Sequence, residues 1–244
     1  MISYKPMSDK PSVRSPWFWV PSLYFAQGIP YVAVMIVSVL MYKRLGVSNT
    51  DIALYTSWLN LPWVIKPFWS PFVDLLKTKR WWVATMQLLI GAGLAGVAFT
   101  IPTTFFFQAS LAVFWLLAFS SATHDIAADG FYMLALDSHE QAFFVGIRST
   151  FYRIAIIAGQ GVLIMFAGFL ENSTGNIPLA WSVTFFILGG LFLALFLYHR
   201  YILPLPKGDK LSATVTPSTI LKEFFATFAS FFKKKQAFVA ILFM

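Results

Sequence analysis

Predominantly apolar runs of about twenty residues recur along this chain, and that pattern constrains its fold more than any other feature. A helix needs ~20 apolar residues to cross the ~30 Å hydrocarbon core of a bilayer. Lipid offers backbone amides no hydrogen-bond partner, so runs of this length must be helical. The ~10-residue alternating segments of a transmembrane barrel are absent. Composition agrees: 11% of the residues are charged, against roughly 25% in a soluble domain. The predicted class is an all-α membrane protein.

Six spans are expected, over residues 17–41, 52–73, 81–101, 104–128, 147–170 and 181–201. Pro21, Gly28 and Pro30 interrupt the first, and Pro62, Pro67 and Pro71 the second. The organisation is then a polar tail over 1–16, a six-helix bundle over 17–201, a connection over 202–236, and the start of a seventh helix over 237–244. The apolar stretch behind the tail is too long for a signal peptide and shows no cleavage site, so the first span is expected to be retained. In the connection, Pro204, Pro206 and Gly208 break the helix. Leu221, Phe224, Phe225, Phe228, Phe231 and Phe232 then recur at helical spacing, ahead of Lys233, Lys234 and Lys235. That fits an amphipathic helix, either lying on the membrane surface with its basic end at anionic lipid or packed beneath the bundle. The seventh run reaches only from 237 to 244, too short to cross a bilayer. The sequence is therefore expected to be a fragment of a longer protein, with a self-associating half-molecule as the alternative.

Basic residues gather on one side of these spans. Thirteen Lys and Arg fall there (Lys5, Lys10, Arg14, Lys77, Lys79, Arg80, Arg200, Lys207, Lys210, Lys222, Lys233, Lys234, Lys235), against Lys43 and Arg44 opposite. By the positive-inside rule the N-terminus is cytoplasmic. The +8 net charge reports this bias and not a nucleic-acid surface, which needs a basic face on a soluble fold. No cysteine is present, so neither a disulfide framework nor a thiolate site is available; no metal and no cofactor are expected.

Charges within spans are costly and face a bundle interior or a water-filled cavity. Lys66, Asp125, Asp129, Arg148 and Arg153 are such charges, with His124 beside them. Asp125 and Asp129 are four apart, which sets both carboxylates on one helical face. They are placed near the cytoplasmic edge, with Arg148 and Arg153 opening the next span and Lys66 about two turns higher. Three readings stand: an ion-pair network that closes a gate and orients helices, a proton-coupling pair, or substrate contact. Tyr24, Gln27 and Tyr31 share a face of the first span, and Ser149, Arg153 and Gln160 a face of the fifth, as cavity-lining stripes or as interhelical hydrogen bonds. Gly91, Ala92, Ala95 and Gly96 serve close helix packing. The run DIAADG, 125–130, resembles the aspartate signature of membrane alcohol phosphotransferases, but its spacing, the missing Arg and the missing second Asp pair argue against an enzyme.

Three stretches together resemble one transporter family. Ser70, Pro71, Phe72, Val73 and Asp74, followed by Lys77, Lys79 and Arg80, are similar to the major-facilitator loop between the second and third helices, with Ser70 where a Gly is usual. The surrounding LPWVIKPFWSPFVD (61–74), FAQGIPY (25–31) and HDIAADGF (124–131) resemble the branch holding AmpG-type muropeptide permeases and acetyl-CoA transporters. The matches carried over are Lys66, Trp69, Pro71, Asp74, Asp125 and Asp129; His124 stands where relatives often have Gln. The resemblance implies a proton-driven importer in the bacterial cytoplasmic membrane. Its small-molecule substrate would sit between two six-helix bundles, of which this chain supplies the N-terminal one and lacks the C-terminal partner. Muropeptide or amino-sugar conjugates are the implied substrates, acetyl-CoA or a nucleotide the alternative; a non-transporting membrane scaffold is the rival from another class.

Overall fold

Each of the six predicted spans forms helix, and side-chain caps at Ser48, Thr78, Asp137 and Asn176 start four of them. A computed structural model of the chain describes residues 15–206, 208, 209, 226 and 230. The tail before Ser15, the amphipathic helix as a unit and the seventh run lie outside the described residues. Six stretches, α1–α6, follow in order.

Helix α1 is Pro16–Arg44. It carries Pro30 in mid-helix, and one turn later Ala33–Val37 widens to a π-type turn, a usual companion of a helix that must accommodate a residue without an N–H. The second run, α2 over 49–76, is jointed: helices Asn49–Thr56, Leu61–Ile65 and Ser70–Leu76 are linked by tight turns at Ser57–Asn60 and Lys66–Phe68. Pro62, Pro67 and Pro71 each sit in the first turn of a piece, where a missing N–H costs nothing. α3 is Lys79–Thr100, α4 Phe106–Ala135, α5 Ser138–Thr174 and α6 Ile177–Ile202. Among the described residues, five helices (all but α2) are long and apolar enough to cross a membrane. The jointed α2 runs alongside α4: Tyr55 meets Phe107 (5.7 Å) and Trp69 meets Phe119 (5.4 Å).

Two boundaries differ from expectation. α4 continues to Ala135, beyond the predicted end at residue 128, and α5 begins at Ser138, ahead of the predicted 147. Hydropathy reports solvent, whereas helix is set by local chemistry. Asp137 accepts the Glu140 N–H (2.9 Å) while the Glu140 side chain accepts the Asp137 N–H (3.1 Å), a reciprocal cap that starts α5 in polar sequence.

α3 packs between α4 and α6, and α1 between α5 and α4. Small residues set the closest seams. At the α1–α5 seam a Cβ on Gly159 would lie 2.1 Å from Val32 Cγ1, and one on Gly28 would lie 2.7 Å from Ala155 Cβ. Gly159 opens a second π-type turn, Gly159–Leu163, which packs against the one in α1. Gly91 and Ala95 of α3 meet Gly189 of α6 in the same close manner.

Two apolar cores fill the bundle. One, around Val34, Leu94, Phe114 and Phe185, occupies the end away from the N-terminus; the other, around Trp19, Val83, Phe131 and Phe144, occupies the N-terminal end. Between them lies a layer of buried polar side chains: Gln27, Gln87, Ser120, Ser121, His124, Asp125 and His199. Buried polar groups are costly unless partnered, which makes this layer the place to look for function.

Candidate functional site

The extra length of α4 and α5 changes where the charged residues sit. Asp125 lies ten residues before the end of α4 at Ala135, ~15 Å along the axis, and Arg148 lies ten residues into α5. Both therefore lie about three turns from the ends of their helices, the added length being polar helix beyond the predicted spans.

Asp129, Arg148 and Tyr24 form one cluster across α4, α5 and α1. The Tyr24 hydroxyl donates to Asp129 Oδ1 (2.9 Å), and an Arg148 N–H donates to both Asp129 Oδ1 (3.2 Å) and the Tyr24 oxygen (3.0 Å). The guanidinium also lies over the rings of Tyr24 and Tyr132, 5.1 Å from each centroid, a cation–π arrangement that favours its charge in a partly desolvated place. The cluster borders an open cavity of about 400 Å³ lined by Tyr24, Gln27, Asp129, Arg148, Ser149, Tyr152 and Arg153. Arg153 is exposed to this cavity and has no hydrogen-bond or ion-pair partner among the described residues.

Asp125 is separate from that cluster. It is 7% exposed, with Lys66 Nζ 3.9 Å from one carboxylate oxygen, near enough for charge attraction and too far for a hydrogen bond. Its other oxygen and Gln27 Oε1 are buried outside strict hydrogen-bond geometry among the described residues, with the Gln27 and Trp63 side chains as the polar neighbours of the carboxylate. Tyr31 makes an edge contact with Trp63 (5.2 Å). Gln160 is exposed, lies within the α5 π-type turn, and does not line the cavity, so the expected stripe of Ser149, Arg153 and Gln160 contributes only its first two members.

His124, grouped with the aspartates on sequence, points elsewhere. Ser22, His199, Gln87 and His124 form a hydrogen-bonded chain across α1, α6, α3 and α4, with spacings of 2.9, 3.0 and 3.1 Å. With one proton on each imidazole, the Gln87 amide fixes the pattern: its oxygen accepts from His199 and its N–H donates to His124. His124 Nδ1 is then left without an acceptor among the described residues. Sequence reasoning missed Gln87, Ser22 and His199, although an ionisable residue within a predicted span is itself a signal.

The residues expected in the loop after the second span, Ser70 to Asp74, are instead helical and belong to the last piece of α2, Ser70–Leu76. Ser70 opens the last helix of α2, and Asp74 pairs with the buried ammonium of Lys79. Lys79 passes directly over Gly130 of α4, where a Cβ would lie 2.7 Å from Lys79 Cε. Trp69 donates to Thr123 Oγ1 (3.2 Å). Arg80 donates to the carbonyl of Arg200, and Lys77 lies 6.0 Å from the Trp81 ring. Together these contacts bind the foot of α2 to α3 and α4, and the foot of α3 to α6.

Fold and site define a multi-pass helical membrane bundle with a charged, open cleft. The chain belongs to the BT1 family, whose model matches residues 25–240. It is 27% identical over 234 residues to a protein of Rickettsia conorii named putative transporter AmpG 4, covering 90% of this chain and 53% of that protein. It is 24% identical over 228 residues to the anhydromuropeptide permease of Escherichia coli K12, covering 90% and 43%. The chain thus spans about half the length of these relatives.

Proposed function

We propose that this bundle is the N-terminal half of a secondary transporter of the major-facilitator type, importing muropeptide or amino-sugar conjugates with protons. The observation that carries the reading is the cavity bordered by Tyr24, Asp129 and Arg148, with Arg153, a cation without a partner among the described residues, on its wall. Such a surface suits an anionic polar solute, and its open side suits a companion six-helix bundle. The names of the relatives support transport. The skewed Lys and Arg distribution supports a cytoplasmic N-terminus, and with it an inner-membrane location in a bacterium.

In this reading Lys66, Arg148 and Arg153 attract the substrate's acidic groups, and Tyr24, Gln27 and Tyr31 face its neutral parts. Asp125 carries the proton: neutralising it releases Lys66, which otherwise faces a carboxylate 3.9 Å away. Asp129 and Arg148 hold α4 and α5 in register, so a substrate carboxylate that competes for Arg148 loosens that contact. Rocking of two bundles about a midplane site then exchanges access.

Uptake of radiolabelled anhydromuropeptide into vesicles by the protein co-produced with a C-terminal bundle tests this, with acetyl-CoA as the competing solute. Uptake that depends on a proton gradient and loses that dependence in Asp125→Asn supports the reading. Acetyl-CoA uptake alone replaces the substrate. Normal insertion with no uptake of either solute, and none lost on Asp125→Asn, favours a membrane scaffold.

A further inference from the structure

At the basic end of the bundle, away from the cleft, the first turns of α3 and the last turns of α6 enclose a second cavity of about 340 Å³. Its rim is charged and its wall is apolar. Arg80 and Arg200 stand at the rim; Trp81, Leu88, Phe196 and Leu205 form the wall. Lys77 adds a further cation beside Trp81. One carboxylate, that of Asp209, also borders the space. Its two oxygens accept the backbone N–H groups of Lys79 (2.6 Å) and Arg80 (3.0 Å), so its charge is matched by the N-terminus of α3. The Arg80 guanidinium donates to the Arg200 carbonyl, which fixes it at the rim. The Arg200 guanidinium has no hydrogen-bond or ion-pair partner among the described residues and is exposed.

The depth of the wall decides what chemistry fits. Leu88 is eight residues beyond Arg80 on α3, ~12 Å further along the helix, and Phe196 is one turn above Arg200 on α6. A free anion would use the rim and leave the apolar wall wet. A phospholipid uses both, its phosphate at the guanidinium groups and the start of an acyl chain along Trp81, Leu88 and Phe196. Basic pockets between helices at a membrane face recognise anionic headgroups in this way, and an aromatic residue such as Trp81 favours that depth.

We infer that this α3–α6 pocket is a binding site for the phosphate headgroup of an anionic phospholipid, independent of the solute cleft. The site rests on the membrane bundle and not on the transport reading. Native mass spectrometry of the full chain released from micelles, titrated with phosphatidylglycerol, phosphatidylcholine and inorganic phosphate, tests it. Phosphatidylglycerol is expected to bind at least fivefold tighter than phosphatidylcholine, and Arg200→Gln to lose about fivefold of that preference. Arg200→Lys should keep most of it, since charge is retained at an exposed position. Trp81→Leu, which keeps every charge, should lower retention of both lipids. Equal binding of the two lipids, or an unchanged preference in both Arg200→Gln and Arg80→Gln, overturns the inference. So does displacement of phosphatidylglycerol by millimolar inorganic phosphate, which would make the pocket a small-anion site.

Discussion

Gly159→Ala is the sharpest test of the packing that positions the cleft. The added Cβ would meet Val32 Cγ1 at 2.1 Å, where ordinary contact begins at 3.4 Å, so α1 and α5 must part by about 1.3 Å or Val32 must change rotamer. Val32 is fully buried and β-branched, and such side chains have few alternative rotamers in a helix. Overpacking of this kind costs about 1–3 kcal/mol, which for a chain of this size corresponds to a fall in melting temperature of roughly 2–12 °C. Val32→Ala alone removes two methyl groups and costs about 1–2 kcal/mol. In the double variant the clash partner is gone, so the combined loss should be smaller than the sum by about 1–2 kcal/mol. The assay is unfolding in mixed micelles followed by circular dichroism, on all four proteins. Gly168→Ala, on the same helix with nothing within 4 Å of the added Cβ, is the control. It should be neutral or gain up to about 1 kcal/mol. Strictly additive losses in the double variant, or equal losses at Gly159 and Gly168, would refute the close α1–α5 seam.

Further outcomes follow from the polar contacts. Gln87→Leu leaves His124 and His199 without their shared partner and should cost about 1–3 kcal/mol for each group left unsatisfied, read in the same unfolding assay. At the far end of the bundle Glu171 takes the Trp181 indole N–H (2.7 Å) and pairs with Arg44. Glu171→Gln should lower the melting temperature and weaken its dependence on salt, because the pair with Arg44 is lost while Asp74–Lys79 and Asp129–Arg148 remain. Asp129→Asn should reduce uptake at least tenfold while insertion is unchanged, and Arg148→Lys, which loses the planar group over Tyr24 and Tyr132, should fall between it and the parent in a vesicle transport assay.

The helices were legible because lipid imposes one rule on every residue inside it, and that rule appears in sequence as length. The joints of α2 were legible too, since Pro62, Pro67 and Pro71 crowd three residues that favour the first turn of a helix into ten positions. The ends of α4 and α5 were not, because residues 129–148 mix polar groups with good helix formers, and hydropathy measures only where lipid stops. The Asp137 and Glu140 cap was written in the sequence but fell outside the apolar window. Candidate charges could be named from their cost in a membrane, but their partners could not. Asp129 finds Tyr24 at 105 residues' separation, and no local pattern selects Arg148 over Arg153. His199 lies two residues before the predicted end of the sixth span, beside Arg200 and Tyr201, and hydropathy alone does not distinguish its buried imidazole from its exposed neighbours.

Asp209 has a consequence for everything downstream of it. By capping α3 it brings the chain from the end of α6 back to a fixed point at the foot of a different helix. The seven residues from Leu203 to Asp209 are therefore spent before any tether begins, and ~25 Å of contour length is unavailable for reaching a neighbour. Any domain joined behind this point is leashed to α3, and its effective concentration near the cleft must be reckoned from there.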